Sequence, residues 1–331
     1  MLDGRRVQYD EAPIQLSLGS HAVRSEFCEP MNTEPIVTIV VPTYRQRGYL
    51  PDTLASITRN IRDGDEVLLV ANGASLEYLA YLGGLVGAPV RLIEIAQPGV
   101  ALARNEGLRQ AVGDFVLFLD DDDALIDGGL EALRRMLGAE RDWGGVAGEV
   151  VFFGERDNER GDSWPAEGLR LTPLRLLWEN LTTPGELLLR TAAVRSLGGF
   201  DQRRAPADDF DLWVRLATAV PLVGVRVPML RYRVHATAAS RNAAHMANQW
   251  LATFTVHARA FGKPSDSAAL YAAASKQAGY FKPQLLNSMR DHAKAGNWRA
   301  SLKAGVMFLR NRAAVLKYEL RAKAHALVVN K

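Results

Sequence analysis

Four consecutive aspartates, at residues 120–123, directly follow the apolar run of residues 115–119. A run of this kind predicts a buried strand, so the carboxylates emerge at its C-terminal end, where open α/β sheets bind ligands. Adjacent anions repel each other unless a cation lies nearby, and oxygen ligands spaced i, i+2 suit a hard divalent ion such as Mg²⁺ or Mn²⁺. Because such an ion completes its shell with water and phosphate oxygens, the pattern indicates a metal-bound diphosphate. The alternative for an isolated acidic run is a solvated turn that caps the helix near Leu130.

Strand and helix patterns alternate ahead of the aspartates. The predicted strands lie at residues 36–41, 66–71, 90–95 and 115–119, and the predicted helices at residues 49–60, 76–82 and 100–111. This alternation is typical of βαβ units, whose right-handed crossovers build a largely parallel sheet. The loops after the first, second and fourth strands then open on one edge of the sheet. We expect Thr43, Asn72 and Asp120 to converge there.

The pattern changes after Asp127. It predicts a helix to about residue 137, strands at residues 146–153, 187–189 and 222–234, and a helix at residues 209–218. The charged loop at residues 155–168 is a candidate lid or acceptor contact. From Asn242 onward only helix is predicted, and Pro264 and Pro283 divide it into segments at residues 242–262, 266–281 and 297–328.

Composition excludes several classes of protein. With 331 residues and 48% hydrophobic content, the chain can bury a sizeable core. Its single cysteine, Cys28, excludes an internal disulfide and a cysteine-rich zinc site. We see no secretory signal, and the longest stretch without Asp, Glu, Lys, Arg or His, residues 78–90, is too short to span a bilayer. The chain is therefore expected to be cytoplasmic, without a transmembrane anchor.

The C-terminal tail is basic, while the rest of the chain is slightly acidic. Residues 290–331 carry ten Lys/Arg and two Asp/Glu, a net charge of +8 in a chain whose total is +3. Helical spacing joins seven apolar residues of the tail into one stripe beside the basic ones: Trp298, Leu302, Leu309, Ala313, Leu316, Leu320 and Leu327. The stripe either binds an anionic membrane surface or packs on the body of the protein. Nucleic-acid binding is not expected, because no aromatic-basic RNA motif accompanies the tail.

Five motifs, in order and spacing, resemble the family 2 glycosyltransferases of GT-A fold. They are VTIVVPTY at residues 37–44, ALARNEG at 101–107, FLDDDD at 118–123, GGFD at 198–201 and DDFDLW at 208–213. The match runs from about Ile36 to His235. The resemblance implies an α/β fold with a Rossmann-like mixed sheet flanked by helices, and a helical C-terminal extension.

The resemblance also implies a nucleotide site. The loop after the first strand would hold base and ribose, which makes Pro42, Thr43, Tyr44 and Arg45 candidates. Relatives usually end the second strand in two aspartates that contact uracil or ribose. This chain has Ala71 and Asn72 there, and this departure leaves the base of the nucleotide open. Arg104 is implied to face the nucleotide, with an exposed helical arginine as the alternative.

Metal and catalytic roles follow from the same resemblance. The acidic cluster matches the family's Asp-X-Asp motif, with Asp120 at ribose or metal, Asp121 beside it in the nucleotide site and Asp122 on the metal. Asp121 and Asp123 are nevertheless expected to face solvent or to cap a helix. His235 matches a position near the metal or phosphate, with an ordinary surface or core histidine as the alternative.

The acceptor side is implied by the acidic pair at the start of the later helix. Asp209 matches the base that deprotonates the acceptor hydroxyl, and Asp208 matches an acceptor contact where relatives more often have Glu. The alternative is that both carboxylates only favour the helix dipole. Trp213 is placed on the acceptor side, with a buried core aromatic as the alternative.

Together these features predict an inverting, metal-dependent transferase that moves a sugar from a nucleotide diphosphate sugar to a hydroxyl acceptor. The acceptor is expected to be a glycan or a lipid-linked molecule at the cytoplasmic membrane face. Predicted boundaries are an extension at residues 1–34, a catalytic domain at residues 35–240 whose nucleotide half ends near residue 123, and a helical region at residues 241–331. The alternatives are a sugar nucleotidyltransferase and a non-catalytic glycan-binding scaffold.

Overall fold

The structure, a computed structural model, describes residues 35–155, 168–179, 183–235, 242–261, 263 and 266–329. Its strands are β1 Val37–Thr43, β2 Glu66–Asn72, β3 Val90–Ile95, β4 Phe115–Phe118, β5 Ala124–Leu125, β6 Gly145–Gly154, β7 Leu169–Arg170, β8 Leu187–Arg190 and β9 Leu222–Val234. Its α-helices are α1 Leu50–Asn60, α2 Leu76–Gly83, α3 Val100–Gln110, α4 Gly129–Ala139, α5 Pro173–Glu179, α6 Thr191–Ser196, α7 Asp208–Ala219, α8 Ala243–Ala258, α9 Ser267–Lys294 and α10 Trp298–Val329. The predicted N-terminal extension and most of the predicted lid loop lie outside the described residues.

One mixed sheet carries the fold. Among the described residues its strand order is β3-β2-β1-β4-β8-β6-β9-β5, and β7 also pairs with β9. The first four strands are parallel, as predicted, while β8 runs antiparallel to β4 and β6. The prediction of a mixed α/β sheet flanked by helices is therefore confirmed. Strands β2 and β3 lie on one side of β1, and β4 lies on its other side. The strand order therefore reverses between β1 and β4, and such sheets bind ligands at this switch point.

Apolar side chains pack on both faces of this sheet. Successive residues of a strand point to opposite faces, so Ile39 belongs to the core on one face and Val40 to the core on the other. The core that contains Val40 continues into Trp250 and Phe254 of α8. The C-terminal helices are thus packed on the sheet domain through a shared core. No helix in the described part of the chain is long and apolar enough to cross a membrane.

Helix α3 crosses β1 at a glycine. A Cβ atom built on Gly107 would lie 2.3 Å from Cγ1 of Val40, whose side chain is fully buried. Only a residue without a side chain permits this close approach. The contact fixes the height of α3 above the sheet, and α3 carries Arg104 toward the ends of the strands.

The predicted helix boundary at Pro283 is wrong. Helix α9 runs from Ser267 to Lys294 with Pro283 inside it. A proline removes one backbone hydrogen bond and normally breaks a helix. Here Phe281 and Leu285, on either side of it, are both buried, and their packing holds the helix together. The two-residue strands β5 and β7 were not predicted, because a pair of residues shows no periodicity.

A Gly107→Ala substitution tests the close approach of α3 to β1. We expect it to lower the free energy of unfolding by about 1–3 kcal/mol, since the added methyl overpacks a rigid β-branched neighbour. Gly279→Ala in α9 is the matched control, because a Cβ there meets nothing within 4 Å. It should raise the free energy of unfolding by about 0.5–1 kcal/mol through helix propensity. Urea denaturation measures both, and equal effects would contradict the packing argument.

Candidate functional site

Three strand ends meet at a cavity of about 420 Å³. β1 ends at Thr43, β2 ends at Asn72 and β4 ends two residues before Asp120, and the parallel pairing of β1 with both neighbours brings these ends to one edge of the sheet. The three residues converge as predicted. Most of the predicted site residues line this cavity: Pro42, Thr43, Tyr44, Arg45, Asn72, Arg104, Asp120, Asp121, Asp122, Asp208 and Asp209.

The guanidinium of Arg104 joins two carboxylates from distant parts of the chain. Its Nη2 donates to Asp120 Oδ1 at 2.7 Å and its Nη1 donates to Asp208 Oδ2 at 3.0 Å. The side chain is only 4% exposed and lies over the ring of Phe200, 5.3 Å from its centroid. Burial lowers the pKa of Arg104, but the charges of Asp120 and Asp208 outweigh it and hold the pKa above the ordinary arginine value. The alternative of an exposed helical arginine is wrong.

Asp121 turns away from Asp120 and is held by the end of β1. Thr43 Oγ1 donates to Asp121 Oδ2 at 2.5 Å, and the same hydroxyl lies 2.6 Å from the hydroxyl of Tyr78. Because a threonine hydroxyl has a single proton, Tyr78 is the donor in the second bond. Burial raises the pKa of Asp121 to about 7, and the charges of Asp122 and Asp120 add to this effect.

Asp122 faces two basic side chains. His235 Nε2 lies 3.0 Å from Asp122 Oδ2, and Arg47 Nη1 lies 3.3 Å from the same oxygen. Burial raises the pKa of Asp122, the charge of Asp120 raises it further, and His235 and Arg47 oppose the shift. The histidine is 7% exposed and contacts the ring of Tyr49 at 4.9 Å between centroids. His235 does not line the cavity directly, but the structure places it beside the predicted metal ligand.

Asp123 is buried, and the expectation that Asp121 and Asp123 face solvent is corrected. Asp123 is 1% exposed, and its Oδ1 accepts the backbone N–H of Arg233 at 2.8 Å. Its carbonyl oxygen accepts from Thr53 Oγ1 at 2.7 Å. The loop lies between α1 and β9. All four aspartates therefore contact other parts of the protein, and they do not alternate between protein and solvent.

Asn72 holds two loops of the site together. Its Nδ2 donates to the carbonyl of Thr43 at 2.8 Å, and its Oδ1 accepts the backbone N–H of Gly99 at 2.9 Å. An aspartate at this position could accept from Gly99, but it could not donate to Thr43 when ionised. Asn72 therefore has a structural role at this position, which the spacing of the sequence motifs did not predict.

Asp209 is the second residue of α7 and also lines the cavity. Its Oδ1 accepts the backbone N–H of Phe210 at 2.6 Å, and the neighbouring Asp208 is buried against Arg104. Burial raises the pKa of Asp209 to about 7, the charge of Asp208 raises it as well, and Arg104 opposes the shift. A carboxylate that takes a proton near neutral pH has the basicity that general-base chemistry needs.

Trp213 belongs to the core, which corrects its predicted place on the acceptor side. Its side chain is 0% exposed and is not part of the cavity lining. The ring packs edge-on against Phe200 with 6.2 Å between centroids. Since Phe200 lies under Arg104, Trp213 supports the site from beneath.

The acidic residues offer an incomplete set of metal ligands. Among the described residues, no group of three or more His, Cys, Asp or Glu side chains is arranged to hold a metal ion by itself. Asp120 and Asp122 both reach the cavity and supply the oxygen donors that Mg²⁺ or Mn²⁺ prefers. These residues fit a hard ion whose remaining positions are filled by water or by oxygens of a ligand. In this structure Arg104 pairs with Asp120 and Arg47 pairs with Asp122, and His235 Nε2 lies within hydrogen-bond distance of Asp122.

Two arginines of the site were not predicted. Arg47 lies on the loop after β1, and Arg233 lies on β9, where its Nε donates to the carbonyl of Asp122 at 2.8 Å. A signal for Arg233 was present in the sequence, because Arg231, Arg233 and His235 recur at the two-residue period of a strand face. Arg47 carries no such signal, since loop residues have no period.

Sequence comparisons find relatives for part of the chain. A sequence model of glycosyl transferase family 2 matches residues 38–193. An uncharacterized glycosyltransferase of Haemophilus influenzae is 29% identical over 100 residues, which cover 29% of this chain and 40% of that protein. A Bacillus subtilis protein named for teichuronic acid biosynthesis, the glycosyltransferase TuaG, is 27% identical over 95 residues, or 28% of this chain and 38% of that one. The chain thus spans less than half the length of these curated relatives.

Two solved structures share the fold across most of the chain. The mannosyltransferase PcManGT from Pyrobaculum calidifontis, in complex with GDP-Man and Mn²⁺, has a TM-score of 0.56 and 20% identity, covering 90% of this chain and 86% of that one. S. aureus TarS 1–349, in complex with UDP-GlcNAc, has a TM-score of 0.55 and 15% identity, covering 86% and 92%. The family match contains β2, β4 and all of β1 except Val37, and it also contains the acidic loop that follows β4. The domain at residues 38–193 therefore belongs to glycosyl transferase family 2.

Proposed function

We propose that the chain is an inverting, metal-dependent glycosyltransferase, which moves a sugar from a nucleotide diphosphate sugar to a hydroxyl group. One observation carries the proposal. Asp209, with a pKa near 7, lines the same cavity as Asp120 and Asp122, and buried Arg104 lies between the two groups. A base on one wall and a diphosphate site on the other are the two parts that a displacement at a sugar carbon requires.

The donor would lie along the ends of β1 and β2. Pro42, Thr43, Tyr44 and Arg45 line this part of the cavity and would contact base and ribose. Support for a nucleotide sugar comes from the fold shared with proteins solved with UDP-GlcNAc and with GDP-Man. Because these ligands differ in base and in sugar, the proposed donor is the class of nucleotide diphosphate sugars.

A divalent ion, Mg²⁺ or Mn²⁺, would be held by Asp120 and Asp122 with His235 beside them. When bound it would neutralise the diphosphate and make the nucleoside diphosphate a better leaving group. Arg47 and Arg104 already place positive charge at these carboxylates. Both arginines line the cavity, so they would also meet the phosphate oxygens.

The transfer itself would be a single displacement. The acceptor oxygen attacks the anomeric carbon, its proton passes to Asp209, and the bond from the sugar to the diphosphate breaks. An α-linked donor thus gives a β-linked product. Asp208 supports this step indirectly, because its contact with Arg104 fixes the start of α7 and so the position of Asp209.

The proposed acceptor is a glycan or a lipid-linked molecule used in surface polysaccharide or glycolipid synthesis. TuaG, a relative of part of the chain, is named for teichuronic acid biosynthesis, which is polysaccharide chemistry. Such an acceptor would place the enzyme in the cytoplasm, at the inner face of the cell membrane.

Nucleotide sugars with different bases and sugars test the proposed function directly. Each is added to the full chain with and without Mn²⁺, and both hydrolysis of the donor and the shift in thermal unfolding are recorded. A glycosyltransferase should show metal-dependent hydrolysis of at least one donor and protection by the same donor. A scaffold would show no turnover. A nucleotidyltransferase would release pyrophosphate from a nucleoside triphosphate and a sugar phosphate instead.

An Asp122→Ala substitution tests the metal site. We expect transfer to be lost and Mn²⁺ binding, followed by electron paramagnetic resonance, to weaken by at least tenfold, because one of the two proposed carboxylate ligands is gone. The exposed Asp63→Ala variant is the control and should keep both properties. Full activity of the Asp122 variant, or of the wild type in EDTA, would contradict the assignment.

An Asp209→Asn substitution tests the base. The variant should bind the donor normally, while its transfer rate drops by roughly 10²-fold or more because the amide cannot take a proton. In the wild type, the rate should rise with pH through about 7, the pKa of Asp209, and the variant should lose this limb. Asp127→Asn, at an exposed carboxylate, is the matched control. A variant with near wild-type turnover would exclude Asp209 as the base.

The same pair of proteins gives a stability readout. The pKa of Asp209 is raised in the folded state, so its ionisation opposes folding above the ordinary carboxyl pKa. The wild type should therefore lose stability relative to Asp209→Asn as the pH rises from about 4 to about 7. Urea denaturation across this range measures the difference, and a difference that is independent of pH would contradict the raised pKa.

A further inference from the structure

Helix α10 has one face that packs on the protein. Ala304, Met307, Asn311 and Tyr318 are buried, and they recur three, four and seven residues apart on a single side of the helix. Tyr318 packs edge-on against Phe254 of α8, with 5.4 Å between ring centroids. This face attaches α10 to the shared core.

The opposite face is apolar and exposed. Six large side chains lie on it, with exposed fractions of 46–70%: Trp298, Leu302, Val306, Leu309, Leu316 and Leu320. At 100° per residue this row lies nearly opposite the buried one. The sequence left open whether the apolar stripe packs on the body, and among the described residues it does not. The side chain of Leu327, also predicted to belong to the stripe, lies outside the described part.

Basic residues border this exposed row on both sides. Five exposed ones follow one flank: Arg299, Lys303, Arg310, Lys317 and Arg321. Arg312 and Lys323 lie on the other flank, and both are exposed. The helix contains a single acidic residue, Glu319, which is neutralised by Lys323 at 2.7 Å. An anionic bilayer is apolar inside and carries lipid phosphates at its boundary. An apolar row bordered by basic groups is complementary to this arrangement.

The surface continues into a groove between α9 and α10. This groove has a volume of about 370 Å³, and Leu285, Phe308 and Leu316 supply its apolar lining. Lys282 and Arg312 supply positive charge at the same groove, which the single acidic residue of α10, Glu319, also lines. The combination of apolar and basic groups thus extends from α10 to the neighbouring surface of α9.

We propose that the exposed face of α10 docks on an anionic membrane surface. Its apolar row, from Trp298 to Leu320, enters the boundary between headgroups and acyl chains, and its basic flanks contact lipid phosphates. A second copy of the chain is a poorer occupant, because pairing two such faces brings like charges together along their whole length. Docking on a membrane concerns the location of the protein and is independent of the proposed sugar transfer.

Vesicle flotation of the full chain, without any nucleotide sugar, tests the proposal. Wild type should float with phosphatidylcholine vesicles that contain about one-third phosphatidylglycerol, and should float less at high salt because the flanks are screened. It should not float with vesicles of phosphatidylcholine alone. Wild type that stays at the bottom of the gradient at low salt would overturn the proposal.

Point variants identify the surface without disturbing the packed face. Leu309→Asp and Leu316→Asp should each weaken partition by about tenfold or more, and Lys303→Glu by at least about fivefold. Leu76→Asp is the matched control for an exposed leucine, since Leu76 is 86% exposed on α2, and it should bind like wild type. Deletion of the tail is less informative, because removing Met307 and Tyr318 would open the core of α8 and α9.

Circular dichroism and light scattering complete the test. Helix content and thermal unfolding of the leucine variants should match wild type, because the replaced side chains are exposed. If Leu309→Asp and Leu316→Asp bind vesicles as tightly as wild type, the face is not the docking surface. If they instead convert a dimer to a monomer with flotation unchanged, the face is an interface between copies and the membrane proposal is wrong.

Discussion

The ion-pair bridge from Asp120 through Arg104 to Asp208 is the contact on which the site depends. Arg104 is almost fully buried, and a buried guanidinium is costly unless carboxylates pair with it. The two carboxylates come from the loop after β4 and from the start of α7, which are 88 residues apart in the sequence. The bridge therefore fixes the distance between the proposed diphosphate wall and the proposed base. Gly107 and Trp213 act on the same bridge, one by setting the height of α3 and the other through Phe200 beneath the guanidinium.

The acidic loop shows how four adjacent carboxylates can be accommodated. Each is turned toward a different donor: Asp120 to Arg104, Asp121 to Thr43, Asp122 to His235 and Arg47, and Asp123 to the backbone of Arg233. Dispersal in four directions limits their repulsion, but burial still raises the pKa of three of them. The loop thus retains an unfavourable electrostatic component that additional positive charge in the cavity would relieve. This is a physical reason to expect a cation at this point of the sheet.

The C-terminal helices pack on the core of the sheet and also present an exposed face. Helix α8 is part of the same core as the sheet. Its His257 Nε2–H donates to Asp211 Oδ1 at 2.9 Å, and Asp211 lies on α7 two residues after Asp209. Helix α10 then packs one face on this arrangement and leaves the other exposed. Packed helices therefore connect the helix that carries the proposed base to the face proposed to meet lipid.

The sequence by itself determined the alternating strands and helices up to β4, the parallel half of the sheet and the strand ends at which polar residues gather, because these follow from local periodicity and chain direction. It also supplied, by resemblance, most residues of the cavity. Only the tertiary structure decided which partner each charge has, as at Arg104, Asp123 and Arg47, since such contacts join residues far apart in the chain. It likewise decided that Pro283 lies inside a helix, that Trp213 is core and that the exposed side of α10 is the apolar stripe. The physical reason is that a periodic pattern defines a face of an element, whereas what covers that face depends on how the elements pack.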